Sequence, residues 1–284
     1  MKGDMSKKKQ VLDDNYFSTK VRFSCNRKFY NDFRRNFDPK DYKVYGPNLS
    51  KFLAKKCSSS FKKWWDPKKF NWVAACDFLP KKCSKHFLIW WKDYEYCGDK
   101  VDIIRYCSKY FDVWYNKKDF PLKFYSGELS RNCRDHFDKW WDPKKFNWAD
   151  SSSTLLDYCH EIFDKWWDPD RFNWDGSSSE LCDLIPIKKW WNPEKFNWMS
   201  SSSSLADRCT KHFDLWWNPD KYYWCEDGTE VLIYRLKNKI KTWWDPLKFD
   251  WTYHEQLVRY CKRYKDIWET DYYIKKIEGL PDPY

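Results

Sequence analysis

One nine-residue string dictates most of what this chain can become. Trp64-Trp65-Asp66-Pro67-Lys68-Lys69-Phe70-Asn71-Trp72 returns unchanged at positions 140–148. Close copies begin at Trp166, Trp190, Trp216 and Trp243, and looser ones at Trp90, Trp114 and Trp268. Each start falls 24–27 residues after the one before. A degenerate unit, Phe37-Asp38-Pro39-Lys40-Asp41-Tyr42, stands ahead of them. A motif returning at this period marks a stack of small supersecondary units, each too small to bury its own apolar face.

The period extends upstream of the Trp pair. Seven residues before it lies Cys57, Cys83, Cys107, Cys133, Cys159, Cys209 or Cys261. Leu236 takes that place before Trp243, and Cys182 comes one residue early before Trp190. With the Cys as zero, apolar residues recur at −4, −3, 0, +4, +7 and +8. That is one stripe of a helix at 3.6 residues per turn. It predicts a helix of about 13 to 16 residues that ends at the Trp pair. The serines at 151–153, 177–179 and 200–204 are expected to cap its start, since their hydroxyls can accept from free backbone N–H groups. Pro67, Pro143, Pro169, Pro193, Pro219 and Pro246 stop the helix. The preceding Asp or Asn then starts a single turn, followed by an extended stretch.

The expected fold is therefore an all-α tandem helical-repeat solenoid with a period of about 25–26 residues. Each unit has one long amphipathic helix and a short Asp-Pro-initiated segment. Residues 21–275 form one repeat domain of nine clear units plus the degenerate one. Residues 1–20 form a basic tail expected to be disordered, and residues 276–284 a C-terminal tail. Helices packed ~8–10 Å apart would make a rod. The Trp pairs, Trp64, Trp65, Trp90, Trp91, Trp140, Trp141, Trp166, Trp167, Trp190, Trp191, Trp216, Trp217, Trp243 and Trp244, are read as its core. A buried indole N–H needs a partner, and the Asp or Asn after the pair is the candidate.

Twelve cysteines invite a disulfide framework. Equivalent positions on neighbouring helices lie beyond the roughly 7 Å Cα separation a bridge allows. Reduced, buried thiols and a reducing intracellular compartment are expected instead. No apolar run is long enough to span a membrane, and the N-terminus lacks the apolar segment of a secretory signal.

The period and helix–turn logic resemble the α-solenoid class, best known from tetratricopeptide and related helical repeats. The tetratricopeptide consensus is absent and the unit here is shorter. The Cys-x-x-His-Phe-x-x-Trp-Trp-Asp-Pro-x-x-Phe-Asn-Trp unit is similar to repeat proteins of unknown function from giant DNA viruses that infect amoebae. That resemblance covers residues 53–275 or so and implies a host cytoplasm, virus factory or virion, with no activity attached.

Motifs for chemistry are sparse. Cys83/His86, Cys133/His136 and Cys209/His212 share a helix face as Cys-x-x-His. A closed zinc site needs four ligands, and other repeats hold Ser60, Tyr110, Ile162 and Tyr264 at the His position, so these His residues read as polar flanks of the core. Recurrent carboxylates read as caps and solvated faces. There is no phosphate-binding loop, nucleophile elbow or metalloprotease motif, so no enzyme and no cofactor are expected. Net charge is +11, and Lys68, Lys69, Lys144, Lys145, Arg171, Lys195, Lys221 and Lys248 recur at equivalent places. They form a candidate anion-binding edge beside aromatics, interrupted by Asp170, Glu194 and Asp220. The expected function is a non-enzymatic scaffold that binds another protein along an extended face. The alternative is nucleic-acid or polyanion binding through the Lys edge.

Overall fold

The computed structural model describes residues 33, 37–94, 100–225 and 227–278. The basic tail at 1–20 lies outside the described residues, as does 279–284. The regular elements among the described residues are all helices, with no strand. They fall into two compact units, residues 1–121 with 135–140, and residues 122–134 with 141–284. Each unit is a tandem helical repeat.

The second unit shows the repeat most clearly. A helix runs over Trp148–Cys159, a 3-10 turn over His160–Ile162, and a short helix over Phe163–Trp166. The next repeats open with the helices Trp174–Leu184 and Trp198–Arg208. The opening residue is thus the closing Trp of the nonapeptide, two or three residues before the serines. The cap is the Asn before it. Asn147, Asn173 and Asn197 accept from the N–H groups of Asp150, Gly176 and Ser200, and Asn71 does the same in the first unit. The serines are not caps. Ser152, Ser178 and Ser202 lie buried inside their helices, each donating back to the carbonyl of Trp148, Trp174 or Trp198.

Nor is the helix continuous to the Trp pair. It breaks at the Cys, where the backbone leaves helical geometry (Cys159 φ −126°, ψ 16°). Cys57, Cys83, Cys107 and Cys209 break in the same way. The carbonyl at the break accepts from the N–H three residues on, as Cys57 does from Ser60 and Cys209 from His212 (both 2.9 Å), and the first Trp of the pair adds a second donor. The indole N–H of Trp64, Trp90, Trp114, Trp166 and Trp216 donates to the carbonyl of Cys57, Cys83, Cys107, Cys159 and Cys209 at 2.9–3.0 Å. Trp243 reaches Leu236 in the same manner (2.8 Å). The carboxylate or amide after the pair, the partner expected from sequence, does not receive these indoles. It caps the following turn instead: Asp142 and Asp168 accept from the N–H groups of Lys144 and Asp170.

The segment after Pro opens with the expected single turn, but the expected extended stretch is replaced by a tight turn at the Asn (Asn147 φ −85°, ψ 84°), across which the Trp148 N–H bonds the Phe146 carbonyl (3.2 Å). In the degenerate unit, Asp38 caps the same turn over Pro39–Asp41. The repeat at Trp190 departs from the pattern. Pro186 ends its helix early, Ile185 is extended, and Trp190 bonds the Ile185 carbonyl at a spacing of five residues. This accounts for its displaced Cys182. The sequence at 276–278 belongs to the helix Lys265–Glu278 rather than to a tail.

The core matches the stripe. Leu53, Leu79, Ile103, Leu129, Leu155, Leu205 and Leu257 are buried at −4, and Phe61, Phe87, Phe111, Phe137, Phe163 and Phe213 at +4. Burying each such side chain stabilises the fold by roughly 1.5–3 kcal/mol. The members of a Trp pair divide the labour. Trp64, Trp90, Trp140, Trp166, Trp190, Trp216 and Trp243 are buried. Trp65, Trp91, Trp141, Trp167, Trp191, Trp217 and Trp244 are half-buried. Trp167 stacks on Phe163 (4.7 Å between centroids) and meets Trp174 edge-on (5.6 Å).

Candidate functional site: the joints between repeats

Residues that recur at equivalent places are spent chiefly on joining one repeat to the next. The buried serine is the centre of one joint. Its hydroxyl donates within its own helix and accepts from the backbone N–H that opens the following repeat. Ser50 receives Asn71 (3.0 Å), Ser126 receives Asn147 (3.0 Å), Ser152 receives Asn173 (3.2 Å), Ser178 receives Asn197 (3.2 Å) and Ser202 receives Tyr223 (3.1 Å). A buried N–H without a partner costs about 1–3 kcal/mol, so each hydroxyl fixes the register of its neighbour.

The Pro carbonyl is a second joint. It accepts from the third Trp of its own loop, as Pro169 does from Trp174 (2.9 Å). It also accepts from the cation of the following repeat: Lys69 reaches Pro39 (2.9 Å), Arg171 reaches Pro143 (3.2 Å), Lys195 reaches Pro169 (3.0 Å), Lys221 reaches Pro193 (3.3 Å) and Lys248 reaches Pro219 (3.1 Å).

The same cations also find acids. Lys195 pairs with Asp170, Lys221 with Glu194 (2.6 Å) and Lys248 with Asp220 (2.5 Å). The acids that interrupt the basic edge in the sequence are thus the partners of its lysines one repeat on. Arg171 has no acid at that place, because Lys144 stands there, and it pairs with its own Asp168 (3.1 Å). Of the candidate edge, Lys68, Lys144 and Lys145 remain exposed without a side-chain ion pair among the described residues. A second ladder joins Lys139 to Asp112 (2.5 Å) and Lys189 to Asp164 (2.6 Å). Exposed pairs of this kind contribute only ~0–1 kcal/mol each, so they set register and mask charge more than they stabilise.

The Cys-x-x-His residues are also occupied in stacking. His86 lies flat on Phe61 (4.6 Å, 8°) and His136 on Phe111 (4.5 Å, 9°); Tyr110 takes the same seat on Phe87 (4.7 Å, 12°). His212 is half-buried. The thiols of Cys83, Cys133 and Cys209 are buried and outside any disulfide. Cys83 donates weakly to the Ala54 carbonyl of the preceding repeat (3.5 Å). Among the described residues no group of three His, Cys, Asp or Glu side chains is arranged to hold a metal ion.

Burial pushes the thiols of Cys83, Cys107 and Cys159 up to about 12 and that of Cys261 up to about 11. In the irregular repeat the Cys182 and Cys209 thiols share a hydrogen bond, which raises the Cys182 thiol and lowers that of Cys209. Among the described residues nine cysteines are outside any disulfide. Cys76, outside the Cys column, is disulfide-bonded, so the expectation of reduced thiols holds for the column and does not extend to it. No helix among the described residues is long and apolar enough to cross a membrane.

No protein-family model, curated protein or solved structure matches the chain.

Proposed function

We propose that the chain is a non-enzymatic scaffold that binds another protein through side chains the joints leave free. The observation behind this reading is a pair of exposed apolar side chains in successive repeats. The residue before the first Trp is Lys63, Lys139, Lys165 or Lys189 in four repeats, Thr242 in one, and apolar in the other four, Ile89, Val113, Leu215 and Ile267, with Ile89 and Val113 in successive repeats. Ile89, Val113 and the adjoining Leu88 are exposed on the short helices Phe87–Trp90 and Phe111–Trp114. Those helices are neighbours, since Phe87 stacks on Tyr110. Apolar side chains clustered in this way suit a protein partner better than water.

Polyanion binding through the Lys edge is the second reading. Lys68, Lys144 and Lys145 favour it, while the acids seated on Lys195, Lys221 and Lys248 oppose it. The resemblance to viral repeat proteins and the reduced Cys column support a reducing host compartment, while the disulfide at Cys76 opposes it.

Two variants separate the readings. Leu88→Glu/Val113→Glu changes the apolar patch, and charge reversal at Lys68, Lys69, Lys144 and Lys145 changes the edge. A scaffold loses its captured protein in the first variant and keeps it in the second, with little change as salt rises from about 50 to about 200 mM. Submicromolar binding of single-stranded RNA, abolished by the lysine reversals and falling steeply with salt, would overturn the proposal.

A further inference from the structure

Within the second unit, the Asn that opens a repeat also reaches back over the preceding one. The Asn173 side chain donates to the Ala149 carbonyl (2.6 Å) and Asn197 to the Asp175 carbonyl (3.2 Å). The last described repeat ends differently. No Asp-Pro turn follows Trp268; the helix Lys265–Glu278 runs straight on, and Lys275 stands at the sequence position of the Asn. Trp244 is held there by Asp271 (2.9 Å). A cavity of about 260 Å³ opens beside the turn Trp251–Tyr253, lined by Trp251, His254, Tyr272, Lys275 and Lys276.

This lining combines aromatic faces with fixed positive charge. Tyr272 lies nearly parallel to the His254 imidazole (5.9 Å, 17°) and 6.4 Å from Trp251. The Trp251 indole N–H is committed to the Pro246 carbonyl, and its ring is buried against Phe249 (5.2 Å) and Trp244 (5.9 Å), so Trp251 forms a wall of the cavity. His254 Nδ1 is committed to the Trp251 carbonyl (3.1 Å), which turns Nε2 away from that bond. Lys276 is exposed, its ammonium 5.7 Å from the Tyr272 ring. The cavity is smaller than the roughly 300–1,000 Å³ of drug-sized sites, which suits one planar ring rather than several.

We propose that this terminal pocket binds a nucleoside monophosphate group, its base against Tyr272 and His254 and its phosphate on Lys276. Stacking on aromatic side chains accepts any base, because every base has a π face. An ammonium holds a phosphate as a point charge. Neither an uncharged ring nor a bare anion uses both halves of the lining. The group reaches the pocket as a free nucleotide or as the end of a single strand.

Calorimetric titration of the full chain tests this with adenosine 5′-monophosphate, adenosine, inorganic phosphate and a 5′-phosphorylated oligoadenylate. The monophosphate should bind in the submillimolar range, with adenosine and phosphate each at least tenfold weaker. Lys276→Glu should weaken the monophosphate at least tenfold and leave adenosine unchanged; because Lys276 is exposed, the fold is not at stake. Tyr272→Ala should weaken both, with its thermal midpoint measured alongside. Oligonucleotide binding much tighter than the monophosphate assigns the pocket to strand ends, and equal binding assigns it to free nucleotide. Monophosphate binding no tighter than phosphate, or indifferent to Lys276→Glu, would overturn the proposal.

Discussion

Three consecutive serines, Ser151, Ser152 and Ser153, look interchangeable in the sequence and are not so in the fold. Ser152 is buried and makes two hydrogen bonds, donating to the Trp148 carbonyl (2.5 Å) and accepting from the Asn173 N–H (3.2 Å). Ser152→Ala removes the acceptor and leaves the Asn173 N–H without a partner at a joint where water has little access. The expected cost is about 1–3 kcal/mol, offset by roughly 0.5 kcal/mol from the better helix propensity of Ala. Ser153 is half-buried and makes no side-chain hydrogen bond among the described residues. Ser153→Ala should therefore be neutral or slightly stabilising. Urea unfolding of the two variants gives the difference. Amide exchange adds a local reading, in which the Asn173 N–H loses protection in Ser152→Ala and keeps it in Ser153→Ala. Equal stabilities together with unchanged exchange at Asn173 would refute the joint.

Two further outcomes follow from the core. Trp166→Ala should destabilise by about 3–5 kcal/mol, as large-to-small aromatic changes in a core do, and Trp167→Ala by less, because Trp167 is half-buried; thermal or urea unfolding reads both. The thiols of Cys83, Cys107 and Cys159 titrate near 12 in the folded chain against an ordinary value of 9.0. Their folded pKa is raised, so the unfolded chain loses these protons first. Stability is full below pH 9 and falls as pH rises toward 12, by about 1.4 kcal/mol per pH unit for each thiol. Unfolding free energies compared at pH 8 and pH 10.5 check this, and a flat profile would contradict it.

What the sequence disclosed and what it hid have physical causes. The period, the apolar stripe and the Asp-Pro turn are local patterns, and the fold reproduces them. The break at the Cys left no trace in that pattern. A 3-10 turn and an α-turn both bring residues three and four apart onto one face, so Cys159, Phe163 and Trp166 read as one helix. Hydroxyls near a helix start usually cap, whereas here Asn147 and Asn173, one residue before the helix, already do so. The serines' true partner sits 19–21 residues away, a distance that no local rule covers. The basic edge looked like a ligand surface because Asp170, Glu194 and Asp220 were read beside the lysines of their own repeats. Read one repeat on, each faces a cation. The terminal pocket left a fainter signal, the missing Pro after Trp268 together with Lys275-Lys276.

The central claim is that the first Trp of a regular repeat such as Trp166 is pinned to the carbonyl at the helix break seven residues before it, while the second lies at the edge of the core. Indole N–H exchange measured by NMR at Trp166 and Trp167 tests it directly. Trp166 donates to the Cys159 carbonyl at 2.9 Å from a buried position, whereas Trp167 is half-buried, with no hydrogen bond from its indole among the described residues. The Trp166 indole proton should exchange only on unfolding of the repeat, and that of Trp167 orders of magnitude faster. Equal rates, or faster exchange at Trp166, would contradict the account.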